Sequence, residues 1–136
     1  MKWRSPEILK EEKHSVQTED NTELLVQIDN VMRLKKPYRN PELSIADLSV
    51  LVNVKPHVLS KIINENYDQN FRDFLNKYRV EEFIELANKE EYKRYTFLAL
   101  AQEVGFNSKS TFNLAFKKLI HQNPRDYFKT REAEAH

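Results

Sequence analysis

The chain has 136 residues, 40% hydrophobic and 32% charged, with a formal net charge of +1, one glycine, five prolines and no cysteine. This composition suits one domain or two small subdomains, disfavours β-hairpins, whose turns lean on glycine, and leaves no disulfide framework or thiolate metal site. No apolar run is long enough to cross a bilayer and no signal peptide opens the chain, so as given it is cytoplasmic in character.

Charge is more informative by segment. Residues 1–36 carry seven basic and seven acidic side chains, residues 37–131 carry fifteen basic and twelve acidic, and the last five carry two glutamates. Any affinity for nucleic acid must therefore come from local placement of cations on one face.

Residues 1–20 are mostly polar, with Trp3, Ile8 and Leu9 near the start, and read as a linker or disordered arm. From Asn21 a helix is expected, capped by Asn21 or Thr22. Its apolar stripe is Leu24, Leu25, Ile28, Val31 and Met32, and it ends near Lys35-Lys36, before Pro37. This helix is expected to complete the first subdomain rather than to dimerise. Ser44 caps a second helix, with Asp47 three residues on in a capping-box pattern, and Leu48, Leu51 and Val52 facing inward. Asn53 takes the turn, since asparagine tolerates the left-handed region. Pro56 fits the first turn of the next helix, which buries Val58, Leu59, Ile62 and Ile63. Asn70 caps a longer helix, roughly 71–88, and a charged break follows to Arg94.

The sole glycine, Gly105, has Leu100, Ala101 and Val104 before it and Phe112, Ala115, Phe116 and Leu119 after it, all at helical spacing. Glycine just past a helix end supplies a left-handed backbone at little cost, and Ser108 can cap a new helix. Helix, tight turn and second helix make a helix-turn-helix. Asn123-Pro124 then opens a short final helix through Tyr127 and Phe128, and residues 130–136 read as a tail.

The pattern occurs twice. Gln69-Asn-Phe-Arg-Asp-Phe74 returns as Gln122-Asn-Pro-Arg-Asp-Tyr127, 53 residues on, and the same shift carries Leu59 to Phe112 and Ile63 to Phe116. Ahead of the second helix of each unit the shift is 52, carrying Leu48 to Leu100, Val52 to Val104 and Asn53 to Gly105. The expected fold is all-α, about seven helices, with two helix-turn-helix subdomains joined by a long connecting helix. The expected divisions are 1–20, 21–88 (including the connector), 89–129 and 130–136. A connector of about 17 residues spans about 26 Å. It is long enough to hold two recognition helices roughly 34 Å apart, one turn of duplex DNA.

Over about residues 42–129 the chain resembles the AraC/XylS-type transcription regulators. The carrying residues are Leu100-Ala-Gln-Glu-Val-Gly-Phe-Asn-Ser-Lys-Ser-Thr-Phe-Asn-Leu-Ala-Phe-Lys-Lys118 and Asn123-Pro-Arg-Asp-Tyr127. The resemblance implies binding of double-stranded promoter DNA. His57, Ser60, Lys61 and Asn64 of the first unit, and Lys109, Ser110 and Asn113 of the second, would face the bases. Lys55, Ser108, Lys117 and Lys118 are the backbone candidates, and Asn53 and Gly105 the turn residues. It also implies the output domain of a longer sensor protein. Homodimerisation would run through an upstream domain not in this chain, RNA polymerase is a candidate second partner, and a membrane anchor elsewhere in the full-length protein is left open. Three residues depart from the family pattern: Leu114 and Phe128 stand where arginine is usual, and His121 where glycine is usual. At Leu114 a contact with a thymine methyl would replace the charged one.

The four histidines have no metal spacing, no catalytic constellation stands out, and no cofactor is expected. Phe106, Phe112 and Phe116 sit at core spacing, and Glu81-Glu82 reads as a solvated helix face, with a contact to polymerase or another subunit as the alternative. The competing function is a helical protein-interaction module without DNA binding, which would scatter the five candidate lysines over different faces.

Overall fold

The computed structural model describes residues 18–135, and every regular element among them is helical. In order these are α1 (Thr18–Lys35), α2 (Ile45–Val52), α3 (Pro56–Tyr67), α4 (Phe71–Ala87), α5 (Phe97–Glu103), α6 (Lys109–Ile120) and α7 (Pro124–Ala135), with 3-10 turns at Pro37–Arg39 and Glu90–Tyr92. The expected arm, residues 1–20, lies outside the described residues as far as 17. At Thr18 the chain is already helical, three residues before Asn21. At the other end α7 continues to Ala135, through the stretch expected as a tail. Residues 125–135 contain no glycine or proline and are rich in strong helix formers.

Packing divides the chain into two units. One comprises the described residues up to Tyr38 with Glu42–Phe74, and the other comprises Arg39–Pro41 with the chain from Leu75 onward. Helix α4 is thus divided by packing at Leu75, whereas the sequence reading places all of it in the first subdomain.

In the first unit Leu25, Ile28 and Met32 of α1 are buried, as are Leu48, Val52, Leu59, Ile62, Ile63 and Phe74. Gln27 Nε2 of α1 donates to the Val52 carbonyl at 3.1 Å, satisfying an acceptor that the end of α2 leaves without an intrahelical donor. Helix α1 therefore completes this unit. Two expected core residues lie outside it: Leu51 is 40% exposed and Val58 36%. Helix α2 is only eight residues long, and its inward stripe is filled by Leu48, Val52 and the buried Ser49, whose Oγ donates to the Ala46 carbonyl at 2.7 Å. On α3 the inward positions go to Leu59, Ile62, Ile63 and Asn66, and Asn66 satisfies its amide on the Ile62 carbonyl at 2.9 Å.

The second unit is built on aromatic rings. Phe83 of α4 lies 4.4 Å from Phe112 and 6.0 Å from Phe116, centroid to centroid, and Phe106 lies 5.4 Å from Phe112. These are tilted and edge-on pairs in the favourable range. Phe106, Phe112 and Phe116 are all buried, as their spacing predicts, among Val80, Leu86, Leu100, Ala101 and Val104. Glu82 overturns its expectation as a solvated residue. It is 4% exposed and takes both prongs of the Arg39 guanidinium, a partner 43 positions away that no local pattern indicates.

The internal repeat holds at the level of single hydrogen bonds. Ser44 caps α2 by accepting from Asp47 N, and Thr96, 52 residues on, caps α5 by accepting from Ala99 N. The turn bonds Asn53 N to Val50 O and Val54 N to Ser49 O recur as Gly105 N to Gln102 O and Phe106 N to Ala101 O. After the turn the shift becomes 53. Asn70 accepts from Asp73 N at 2.8 Å, and Asn123 from Asp126 N at 2.8 Å. The left-handed helix ends Asp68 and His121 also correspond. The additional residue falls in the turn itself, between Phe106 and Ser108.

Candidate nucleic-acid interface

Each turn aims the second helix of its unit. At the first, Asn53 adopts φ 56° and ψ 47°, and Lys55 has the extended backbone of an N-cap before Pro56. At the second, Gly105 has φ 115°, a conformation that a Cβ atom disfavours, and Ser108 caps α6 by accepting from Thr111 N at 3.2 Å. The Ser108 hydroxyl also lies 2.7 Å from Thr111 Oγ1, so this backbone candidate is held at the helix start.

On α3 the residues turned away from the buried stripe are His57, Ser60, Lys61 and Asn64. His57, Lys61 and Asn64 are exposed and Ser60 is half-buried. On α6 the corresponding face carries Lys109, Ser110, Asn113, Leu114, Lys117 and Lys118, all exposed, opposite the buried Phe112, Ala115 and Phe116. Helix α6 contains no acidic residue at all. At 3.6 residues per turn these positions fill one half of each helix circumference. Within each unit the candidate base-facing residues therefore share one face. The lysines lie on it or at its edge, with Lys55 at the cap of α3.

Several residues on this surface were not singled out in the sequence. Phe97 and Leu98 at the start of α5, together with Arg125 and Lys129 on α7, line a groove beside α6 that also takes in Lys109, Leu114 and Lys117. The lining residues include four cations and no carboxylate. Arg125 corresponds to the exposed Arg72 under the 53-residue shift, so the repeat contains the signal that marks it. Among the described residues no group of histidine and carboxylate side chains is arranged to hold a metal ion, and no helix is long and apolar enough to cross a membrane.

A family model described as a helix-turn-helix domain matches residues 48–130, from within the first helix of the first unit through the second unit. The chain belongs to this helix-turn-helix family, of the AraC type. The family comprises DNA-binding domains of transcription regulators rather than enzymes. A relative from Staphylococcus aureus, an uncharacterized HTH-type transcriptional regulator, is 30% identical over 121 residues. That match covers 88% of this chain and only 15% of the relative, so the chain spans a small part of that protein. Two solved structures share the fold. The C-terminal domain of AraT, a response regulator from Geobacillus stearothermophilus, superposes with a TM-score of 0.56 at 24% identity, covering 76% of this chain and 84% of that one. The C-terminal domain of the two-component response regulator yesN from Fusobacterium nucleatum gives 0.54 at 25% identity, covering 74% and 92%.

Proposed function

We propose that this helix-turn-helix chain is the DNA-reading output domain of a longer transcription regulator, with α3 and α6 entering successive major-groove segments. The observation that carries this is the pair of solvent-facing sides of α3 and α6 at repeat-matched positions, each following its own helix-turn. In this role Lys61 and Lys109 donate to guanine O6 and N7, Asn64 and Asn113 pair with adenine, and His57, Ser60 and Ser110 fill the remaining base-facing positions. Lys55, Ser108, Lys117 and Lys118, with the N–H groups at the helix starts, hold the phosphates and so set the register.

The whole regulator acts in the cytoplasm on promoter DNA. RNA polymerase is its second protein partner, and it self-associates through a domain outside this chain. A sensor portion, membrane-anchored or not, belongs to the same longer protein. The short share of the Staphylococcus aureus relative that this chain covers supports a longer protein.

The test is a salt titration of binding to a random duplex pool, with Lys61→Ala and Lys109→Ala beside the unmodified chain. The expected result is a steep linear fall of log affinity with log salt, and altered sequence selection in each variant. Absence of binding at low salt contradicts the proposal and favours a protein-interaction module.

A further inference from the structure

Leu114 sits at the centre of the exposed face of α6 and is itself 73% exposed. Its neighbours on that face are Ser110, Asn113 and Lys117, all exposed. A single exposed leucine means little on most surfaces. This one occupies the position that Lys61 holds on α3 under the 53-residue shift, so the two units present opposite chemistry at one matched point.

We infer that Leu114 reads the 5-methyl group of a thymine in the segment contacted by α6, and that the two segments are therefore unlike in sequence. The inference rests on the DNA-reading function above. In the major groove thymine adds an apolar methyl to its O4 acceptor, while guanine, cytosine and adenine present donors and acceptors without one. Leucine cannot hydrogen-bond. Opposite one of those three bases it strips water from a polar edge and returns nothing, and opposite thymine it covers a methyl. Lys61 at the matched point favours guanine instead. Target sites consequently carry a guanine contact in one segment and a thymine contact in the other. A single chain then binds in one direction, because reversing it sets Leu114 against guanine and Lys61 against a methyl.

The experiment starts from duplexes selected by the chain from a random pool. The α6 segment is identified as the positions where Asn113→Ala alters selection. Each thymine in that segment is then replaced singly by deoxyuridine, which lacks only the methyl. One replacement is expected to weaken binding about fourfold, the worth of one buried methyl group. Leu114→Ala is expected to bind the thymine and uracil duplexes equally, and Leu114→Lys to select guanine at that position. Circular dichroism of both variants checks that removing so exposed a side chain leaves the helices intact. If no uracil replacement weakens binding, or if Leu114→Ala still discriminates, the inference is overturned and Leu114 is left as a contact for a protein partner. If no duplex is bound at all, the DNA-reading function fails, and this inference with it.

Discussion

Arg39 holds Glu82 with two guanidinium nitrogens: Nε lies 2.9 Å from Oε1, and Nη2 pairs with Oε2. Nη1 reaches on to Glu103 at 3.5 Å. The Glu82 side chain is only 3% exposed, against 34% for Arg39, so the fork supplies two charge-assisted hydrogen bonds to a buried carboxylate. Arg39→Ala removes both of these charge-assisted hydrogen bonds and should therefore destabilise the chain by about 1.5–3 kcal/mol. Replacing both partners, as Arg39→Met with Glu82→Leu, should recover much of that loss. Urea unfolding of the three proteins measures it. An unchanged midpoint for Arg39→Ala would show that the pair contributes nothing.

His121 ends α6 with φ 68° and ψ 17°, the left-handed conformation. A non-glycine residue there carries a backbone penalty of about 1–2 kcal/mol, partly offset because glycine gains freedom in the unfolded chain. His121→Gly should stabilise by about 0.5–1 kcal/mol in thermal unfolding. The opposite change at the second turn, Gly105→Ala, should cost about 2 kcal/mol, because φ 115° lies beyond the left-handed well in which Asn53 sits.

Tyr67, at the end of α3, is half-buried with its hydroxyl oxygen covered, and lies against Phe74 with ring centroids 5.0 Å apart. Burial pushes its hydroxyl above the ordinary value of 10.0, the Asp29 carboxylate adds to the rise, and Arg33 opposes it. The folded chain thus holds this proton more tightly than the unfolded chain. Stability from this group is complete below pH 10.0 and falls as pH rises above it. Unfolding followed at about pH 8 and about pH 11 should show a loss at the higher pH that Tyr67→Phe largely removes.

The helices and turns were legible because their signals are local. The Ser44–Asp47 capping box, Pro56 in a first turn, and the Asn70 and Asn123 caps are all formed as their sequence positions imply. The repeat was legible for the same reason, and it also contained what was missed: Thr96 is the counterpart of Ser44, and Arg125 of Arg72. Burial was less legible. Leu51 and Val58 look like core residues by type but fall beside a stripe already filled, and Glu82 looks like a surface residue until Arg39 arrives from 43 positions away. On the candidate face, His57, Lys61, Asn64, Lys109, Ser110 and Asn113 were named by motif position through the family resemblance, and all six are exposed. The groove of Phe97, Leu98, Arg125 and Lys129 beside α6 brings together residues from two further helices, which only the packed unit reveals.

In the proposed function two helices of one chain read two segments of one duplex. The most direct measurement is a chemical footprint of the chain on a selected duplex, repeated with Lys61→Ala and with Asn113→Ala. Two protected major-groove segments about one helical turn apart are predicted, each variant weakening a different one. A single protected segment, or both variants weakening the same one, would contradict it.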